Sequence, residues 1–437
     1  MTFADLPEAL FWLDSHIDFE STMPTRRSLP SLDRMRSLAT LLGDPQAAYP
    51  VIHITGTNGK GSTAAMVTSL LAARGLSAGT YTSPNLSKVN ERLSHNGQPI
   101  DDESFTEVLD TLSRLEGLMD EPPTRFELLT AAALTWFADE AVDVAVVEVG
   151  LGGTWDCTNI VHAAVAVVTN ISYDHTEVLG PTLEDIARDK SGIFTPDCRV
   201  VVGETDPTLV ALFRGAATDV GAEQLWARGI DFACTSNRLA VGGRLVDIRT
   251  PGAAYGELLV PLHGSHQGDN AACALAAVEA FFGEPLHEDV VAEGLAAVRV
   301  PGRLEVIGRH PLVLVDGAHN AAGMMVLARS LSEEFTTDGR SVAVVGMLTG
   351  RDPSAMLEAL VSAGVRAVVA CTPRSPRALP AAVVAEAAFA LDMEVAVAAD
   401  PAEAVRLAVE RSAPEDLVVV CGSLYVVADA RDALLPS

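Results

Sequence analysis

The sequence predicts an α/β protein of two domains, the first built on a mainly parallel sheet and the second smaller and doubly wound. Three observations support this. Short apolar runs alternate with helical patterns along most of the chain. The runs DVAVVEV and HAAVAVVTN are continuously apolar, as expected for strands buried on both faces. A second alternating series begins after VRVPGR at residues 298–303.

The first domain is predicted to open with β-α-β units. Its elements are strands at 48–55, 77–82, 143–149 and 162–170 and helices at 60–74 and 125–140. Residues 206–261 differ, because they contain more turn residues and shorter strand-like pieces. One of these, RLAVGGRLVDI, is expected to form a hairpin around Gly242 and Gly243. We interpret this segment as a small antiparallel edge of the first domain.

The second domain is predicted to be a doubly wound, Rossmann-like sheet. Its strands are expected at 312–315, 342–346, 366–371, 394–398 and 417–421, with helical patterns between them. No G-x-G-x-x-G motif occurs there, so no dinucleotide cofactor is assigned. The resulting domains are 1–299 and 300–437, and the joint at 298–303 is expected to act as a hinge.

The composition excludes several classes of partner. The chain has 437 residues, with 58 acidic against 30 basic side chains and a net charge of −28, which repels nucleic acids and anionic membranes. No signal peptide or apolar run long enough for a membrane span is seen. The six cysteines are scattered, as is typical of thiols in a reducing compartment. We expect a cytoplasmic monomer that binds small molecules.

The stretch VIHITGTNGKGSTAAM at 51–66 predicts a phosphate-binding loop between a strand and a helix. Glycines at 56, 59 and 61 allow backbone N–H groups to approach a phosphate, the helix N-terminus adds a partial positive charge, and Lys60 supplies a cation. Because Gly61 follows the lysine, the hydroxyls come later, at Ser62 and Thr63. The alternative is a flexible glycine-rich turn. The context favours a P-loop NTPase-like first domain.

Other candidate residues lie at the predicted ends of strands. Glu148 closes a buried strand, where it could hold Mg²⁺, or it could be an acid that faces solvent. His175 follows another strand and is either a metal ligand or a structural histidine. Lys190 in ARDKSGIF, taken alone, is an ordinary helix-surface lysine. Arg303 at the joint could reach a phosphate, whereas Asp316 and His319 in VDGAHN fit a capped turn equally well.

Taken together, these segments resemble the folylpolyglutamate synthase/dihydrofolate synthase family of the Mur ligase superfamily. The match runs in order over nearly the whole chain. It comprises GTNGKGS, SPNLSKVNERL, FELLTAAAL, VVEVGLGGTWDCTN, DHTEVLGPTLEDIARDKSGIF, HGSHQGDNAA, PGRLEVI, VDGAHN and GSLYVV. An ordered series of this kind is specific, although any single motif would not be.

The resemblance implies the reaction and its cofactors. An ATP-binding Mur-ligase central-type domain would precede a C-terminal glutamate-ligase domain. ATP would phosphorylate a carboxylate to an acyl phosphate, and the amine of L-glutamate would then displace phosphate to give an amide on dihydropteroate or on the glutamate tail of a folate. ATP and Mg²⁺ are the implied cosubstrate and ion, and participation of a monovalent cation stays open.

The resemblance also implies roles for individual residues. The reaction would depend on Lys60, Lys190, Arg303 and His319. ATP would contact Gly56, Thr57, Asn58, Gly59, Lys60, Gly61, Ser62, Asn270, Arg303 and Asp316. Magnesium would be held by Ser83, Glu148, His175 and, if its side chain is carbamylated, Lys190. The acid substrate would contact Thr124, Arg125, Phe126, Trp155, Asp156 and Cys157.

Several positions depart from the family pattern. Asn85 stands where histidine is usual, and Thr154 where arginine is usual. Residues 349–352, TGRD, replace an Asp-Lys-Asp sequence. Ala321 replaces a proline, and Asp189 and Ser191 flank Lys190 in place of Glu and Ala. Three readings therefore stay open: a folate-linked glutamate ligase, a related ligase for a different carboxylic acid, and a nucleotide-binding regulatory protein without turnover.

Overall fold

The computed structural model describes residues 2–21 and 31–435, which divide into two compact units. The first unit comprises Met1–Asn237, Leu245–Val260 and Gly268–Val298. The second comprises Arg299–Ser437 together with two short segments, Arg238–Arg244 and Pro261–Gln267. No helix in the described ranges combines the length and apolar character needed to cross a membrane.

The first unit contains an eight-stranded sheet. Its strands are β1 Val51–Thr55, β2 Ala78–Tyr81, β3 Leu93–His95, β4 Gln98–Pro99, β5 Val144–Glu148, β6 Ala163–Val168, β7 Arg199–Val202 and β8 Gln224–Ala227. They lie in the order β4-β3-β2-β5-β1-β6-β7-β8. All neighbouring pairs are parallel except β2–β3 and β3–β4. Strands β1 and β5 are buried at every residue, which explains why most of their residues are apolar.

Ten helices accompany this sheet in the described ranges. They are α1 Leu6–Leu13, α2 Asp33–Leu41, α3 Lys60–Ala73, α4 Asp102–Glu116, α5 Arg125–Asp139, α6 Thr176–Leu179, α7 Leu183–Lys190, α8 Pro207–Val220, α9 His266–Phe282 and α10 Glu288–Ala297. Side-chain caps fix several of their starts: Thr124 and Glu127 form a capping box on α5, and Thr182 caps α7. The first turn of α9, at 266–267, is assigned to the second unit.

Residues 206–261 are organised differently from the single antiparallel edge that we expected. Strand β8 extends the main sheet in parallel to β7, because α8 lies between the two strands and returns the chain to the same edge. The remaining strands form a separate three-stranded sheet, with β9 Ala233–Ala240, β10 Gly243–Arg249 and β11 Ala254–Val260 in the order β11-β10-β9. The expected hairpin is present, since β9 and β10 are joined at Val241 and Gly242.

The second unit is a six-stranded sheet with helices between its strands. Its strands are β12 Glu305–Arg309, β13 Leu312–Val315, β14 Ser341–Val345, β15 Ala367–Ala370, β16 Glu394–Val397 and β17 Leu417–Cys421. Its helices are α11 Ala321–Glu334, α12 Pro353–Ser362, α13 Ala381–Ala390, α14 Pro401–Glu410 and α15 Leu424–Leu434. The order is β12-β13-β17-β14-β15-β16, and only β12 is antiparallel to its neighbour. The predicted α/β fold class is confirmed, and β12 is an addition to the five expected strands.

Candidate active site

The glycine-rich loop between β1 and α3 is closed by contacts that only glycine permits. Gly56 and Gly59 have φ angles of +148° and +83°, which residues with side chains rarely adopt. A Cβ atom on Gly56 would overlap the hydroxyl group of Thr169, and one on Gly59 would lie 2.7 Å from Oδ1 of Asn270. The structure therefore places Asn270 of α9 directly against the loop.

The segment that follows β6 supports this loop from one side. The amide of Thr57 donates to the Asn170 carbonyl oxygen at 3.0 Å, and the amide of Asn58 donates to Oδ1 of the same residue, also at 3.0 Å. The Thr169 hydroxyl group and the Asn170 side-chain amide both donate to the Asn58 carbonyl oxygen, at 2.7 and 2.9 Å. These hydrogen bonds fix the shape of the loop, and the first N–H groups of α3 have no intrahelical acceptors.

Two lysines converge on one carbonyl oxygen of the loop. The whole chain contains three lysines, at positions 60, 88 and 190. Nζ of Lys60 donates to the Gly56 carbonyl oxygen at 3.2 Å, and Nζ of Lys190 donates to the same atom at 3.0 Å. Lys190 is only 3% exposed. Burial first, and then the charge of Lys60, lower the pKa of Lys190 to about 7.

A buried carboxylate lies beside the start of α3. Glu148, the last residue of β5, is 4% exposed. Its Oε2 accepts from the amide of Ser83 at 3.2 Å, and a Cβ on Gly61 would lie 3.5 Å from the same oxygen. Glu148, Ser83 and the first turn of α3 are therefore neighbours. A carboxylate and a hydroxyl group are oxygen donors that suit Mg²⁺, which binds few protein ligands and keeps water and phosphate oxygens.

His175 lies after β6, at the start of α6, with a φ angle of +51°. Its amide donates to Oδ1 of the buried Asp174 at 2.8 Å. The charge of Asp174 acts to raise the pKa of Lys190 against the larger effect of burial. Among the residues that the structure describes, no group of three or more His, Cys, Asp and Glu side chains is arranged around a metal position.

Only some of the residues predicted to contact the acid substrate lie together. Thr124 caps α5 by accepting from the Glu127 amide, and the Phe126 ring lies 6.1 Å from the Tyr81 ring. Cys157 approaches this group, with its Sγ atom 3.8 Å from the Phe126 carbonyl oxygen. Arg125 points elsewhere, because its Nε atom donates to Oδ1 of Asp14 at 2.8 Å.

Asp156 is occupied by its own loop. Its Oδ2 accepts from the Leu151 amide at 2.9 Å, and its Oδ1 accepts from the amide and the hydroxyl group of Thr158 at 2.9 and 2.5 Å. Burial raises the pKa of Asp156, and these hydrogen bonds oppose that effect. The neighbouring Trp155 packs against the apolar cluster that contains Val149. The structure thus brings Phe126 and Cys157 together and gives Asp156 a role in holding the loop.

Three predicted residues lie in the second unit. Asp316 follows β13, and its two carboxylate oxygens accept from the amides of Leu304 and Ala318 at 2.9 and 2.8 Å. Burial raises the pKa of Asp316, and the charge of Arg303 lowers it. The Arg303 guanidinium lies beside Gly317, where a Cβ would overlap it. Nδ1 of His319 is 2.8 Å from the Gly317 carbonyl oxygen.

Sequence reasoning missed several residues that shape the first site. The Thr55 hydroxyl group donates to the Gly152 carbonyl oxygen at 2.7 Å and so joins the phosphate loop to the 150–156 loop. Asn170 supports the loop as described above. Asp189 lies beside Lys190, and burial raises its pKa to about 6. The available signal for Asn170 was its position at the end of an apolar run, but no spacing rule links it to residues 57 and 58.

Comparison with known proteins gives two family matches that together cover most of the chain. The Mur ligase middle domain matches residues 54–278, and the Mur ligase glutamate ligase domain matches residues 302–424. A curated relative, the dihydrofolate synthase/folylpolyglutamate synthase of Mycobacterium tuberculosis, is 42% identical over 388 residues, covering 84% of this chain and 79% of the relative.

Solved structures match over nearly the full length. Mycobacterium tuberculosis folylpolyglutamate synthase complexed with ADP has a TM-score of 0.91 and 37% identity, with 99% of this chain and 98% of that chain covered. A bifunctional folylpolyglutamate synthase/dihydrofolate synthase from Yersinia pestis, complexed with AMPPNP and a Mn ion, has a TM-score of 0.86 and 31% identity, with 99% of each chain covered. This chain therefore belongs to the dihydrofolate synthase/folylpolyglutamate synthase family of Mur ligases.

Proposed function

We propose that this chain is an ATP-dependent ligase that joins L-glutamate through an amide bond to dihydropteroate, to the glutamate tail of a reduced folate, or to both. The observation that carries the proposal is the convergence of Lys60 and Lys190 on the Gly56 carbonyl oxygen, in a loop next to the buried Glu148. The family membership and the relatives' bound nucleotides support the same conclusion.

Each residue of this site has a physical task in the proposed reaction. The α3 N-terminus and Lys60 would bind the triphosphate and oppose the negative charge that develops as the γ-phosphoryl group transfers to the carboxylate. Ser83, Glu148 and His175 would hold Mg²⁺, which when bound neutralises phosphate charge. Glu148 suits this task because its carboxylate is buried beside the start of α3.

The proposed reaction proceeds in two steps. Transfer of the γ-phosphoryl group to the acid gives ADP and an acyl phosphate, and attack by the amine of L-glutamate then gives the amide and inorganic phosphate. Phe126 and Cys157, which the structure brings together, would bind the acid. Arg303, Asn270 and His319 would keep the nucleotide and reaction roles that the family pattern implies. Asp316 would support them indirectly, by holding the main-chain amides of Leu304 and Ala318. The free thiols of all six cysteines suit a cytoplasmic site of action.

The test measures phosphate release with Mg²⁺, ATP and L-glutamate, adding dihydropteroate, a reduced folate or no acid. We expect release that depends on the added acid. Release with dihydropteroate alone would identify a dihydrofolate synthase, release with folate alone a folylpolyglutamate synthase, and release with both a bifunctional enzyme. Tight ATP binding without acid-dependent release would contradict the proposal and favour a different acid or a regulatory role.

A further inference from the structure

The loop that carries Thr154 is interlocked with the end of α7, which carries Lys190. Gly153 lies against the peptide between Asp189 and Lys190: a Cβ at Gly153 would sit 2.7 Å from the Asp189 carbonyl oxygen and 3.0 Å from Cα of Lys190. On the opposite side, a Cβ on Gly192 would lie 2.7 Å from Cα of Thr154. Two glycines therefore permit a main-chain approach that side chains would prevent.

Hydrogen bonds fix this approach. The amide and the hydroxyl group of Thr154 both donate to the Asp189 carbonyl oxygen, at 3.0 and 2.9 Å. The Asn159 side-chain amide donates to the carbonyl oxygens of Thr154 and Gly192, at 3.2 and 3.0 Å. The carbonyl group of Asp189 is the one immediately before Lys190, so its position determines where the Lys190 side chain begins.

Lys190 then reaches from this fixed point to the phosphate loop, where Nζ donates to the Gly56 carbonyl oxygen. The 150–156 loop, which carries Thr154, is also attached to the phosphate loop, because the Thr55 hydroxyl group donates to the Gly152 carbonyl oxygen. We propose that Thr154 is a positioning residue for Lys190: its hydroxyl group holds the Asp189 carbonyl group and thereby sets the path of Lys190 to the phosphate loop. Only the expected change in kcat rests on the proposed function; the positioning of Lys190 does not.

A competing explanation is that Thr154 binds the acid substrate. Thr154 is exposed, and it stands where an arginine that could pair with a carboxylate is usual in the family. The two explanations differ in what they change. If the Thr154 hydroxyl group bound the acid, its removal would raise the KM for the acid, whereas a displaced Lys190 would lower kcat.

The test uses four variants. Thr154→Val removes the hydroxyl group while keeping the branched shape and the amide. Thr154→Ser keeps the hydroxyl group, and Thr154→Arg restores the usual family residue. Thr218→Val is the matched control, since the Thr218 hydroxyl group also donates to a main-chain carbonyl, that of Arg214 at 2.8 Å, on the exposed face of α8.

We expect Thr154→Val to lower kcat about three- to ten-fold, the range for one lost hydrogen bond, with the KM for the acid within about two-fold of its starting value. Thr154→Ser and Thr218→Val should keep the kcat of the unmodified protein. Thr154→Arg should not lower the KM for the acid. A change confined to the KM for the acid, or an unchanged kcat in Thr154→Val, would overturn the inference.

A second readout does not depend on activity. Because the chain has three lysines, ε-¹³C-lysine labelling gives three resonances to assign, and Lys190→Met identifies one of them. The Lys190 resonance should move in Thr154→Val, return in Thr154→Ser and stay unchanged in Thr218→Val. An unmoved resonance in folded Thr154→Val would refute the positioning role. Absence of acid-dependent turnover in the unmodified protein would instead contradict the proposed function and leave this spectroscopic test in force.

Discussion

The charged groups near the two main sheets differ in how many hydrogen bonds they make. In the first unit, buried Lys190 has one hydrogen bond among the described residues, to the Gly56 carbonyl oxygen, although an ammonium group can donate three. In the second unit, both oxygens of Asp316 accept main-chain amides and Arg303 lies close by. In the first unit, Lys60 and Lys190 lie at a loop that is suited to bind an anion. In the second unit, the Asp316 carboxylate is already hydrogen-bonded to the main chain. Substitutions should therefore affect mainly activity in the first unit and mainly stability in the second.

The largest effect is expected for Lys60→Ala. The substitution removes the positive charge that stabilises the negative charge on the phosphoryl group during transfer, so kcat should fall by about 10³-fold or more. The thermal midpoint should stay close to that of the unmodified protein, because the loop is held by Thr169 and Asn170. Steady-state phosphate release and thermal unfolding measure the two quantities. Near-normal turnover in a folded variant would remove the phosphate-loop assignment.

Lys190→Met should change how stability depends on pH. The pKa of Lys190 is about 7 in the folded protein and 10.5 in the reference state. Between these values the unfolded chain binds the additional proton, so stability rises with pH by up to about 1.4 kcal/mol per pH unit from this group. The destabilisation caused by burying Lys190 is therefore largest below pH 7 and absent above pH 10.5. In bicarbonate-free buffer, urea unfolding at pH 7.5 and 9.5 should show a smaller rise of stability with pH for the variant than for the unmodified protein. An equal rise in both proteins would contradict the lowered pKa of Lys190.

Asp316→Asn tests the second unit. Asparagine has one carbonyl oxygen, so the amide of either Leu304 or Ala318 loses its acceptor, and the free energy of unfolding should fall by roughly 1–3 kcal/mol. Urea unfolding monitors this loss. The control is Asp338→Asn, an exposed acid in the same unit, which should change stability little. If Asp316→Asn left stability unchanged while the KM for ATP rose, its carboxylate would serve the nucleotide and not the main chain.

The smallest effect is expected for Arg188→Ala. Arg188 lies two residues before Lys190 but is exposed, and its 3.8 Å ion pair with Asp185 is solvated. We expect less than about 0.5 kcal/mol of lost stability and kcat within about two-fold. The variant therefore separates a general loss of positive charge on α7 from the specific position of Lys190. A loss of turnover comparable with that of Lys60→Ala would show that the overall charge of α7 matters.

The two regions also differ in how far the sequence predicts them. Largely apolar runs predict β1, β5, β6 and the parallel strands of the second sheet. Most of these strands are buried on both faces and so have little choice of composition, whereas β16 is a partly exposed edge strand. The local motif likewise predicts the loop at Gly56–Ser62. Lys190 could be placed by family resemblance alone, since its contact with Gly56 spans 134 residues of sequence.

The remaining features depend on contacts that no local pattern encodes. The support of Asn58 by Asn170 and the hold of Thr154 on Asp189 each join loops from different strands. The division of residues 206–261 between β8 and a separate three-stranded sheet likewise follows from tertiary packing. Short strands with mixed polarity do not reveal which sheet they join.

We propose that the site transfers a phosphoryl group to a carboxylic acid and so activates the acid for amide formation. The most direct test uses an acid substrate labelled with ¹⁸O in the reacting carboxylate, with Mg²⁺, ATP and L-glutamate. We predict that one labelled oxygen per turnover appears in the released phosphate and that the amide carbonyl keeps the other. Unlabelled phosphate released in step with amide formation would contradict the account.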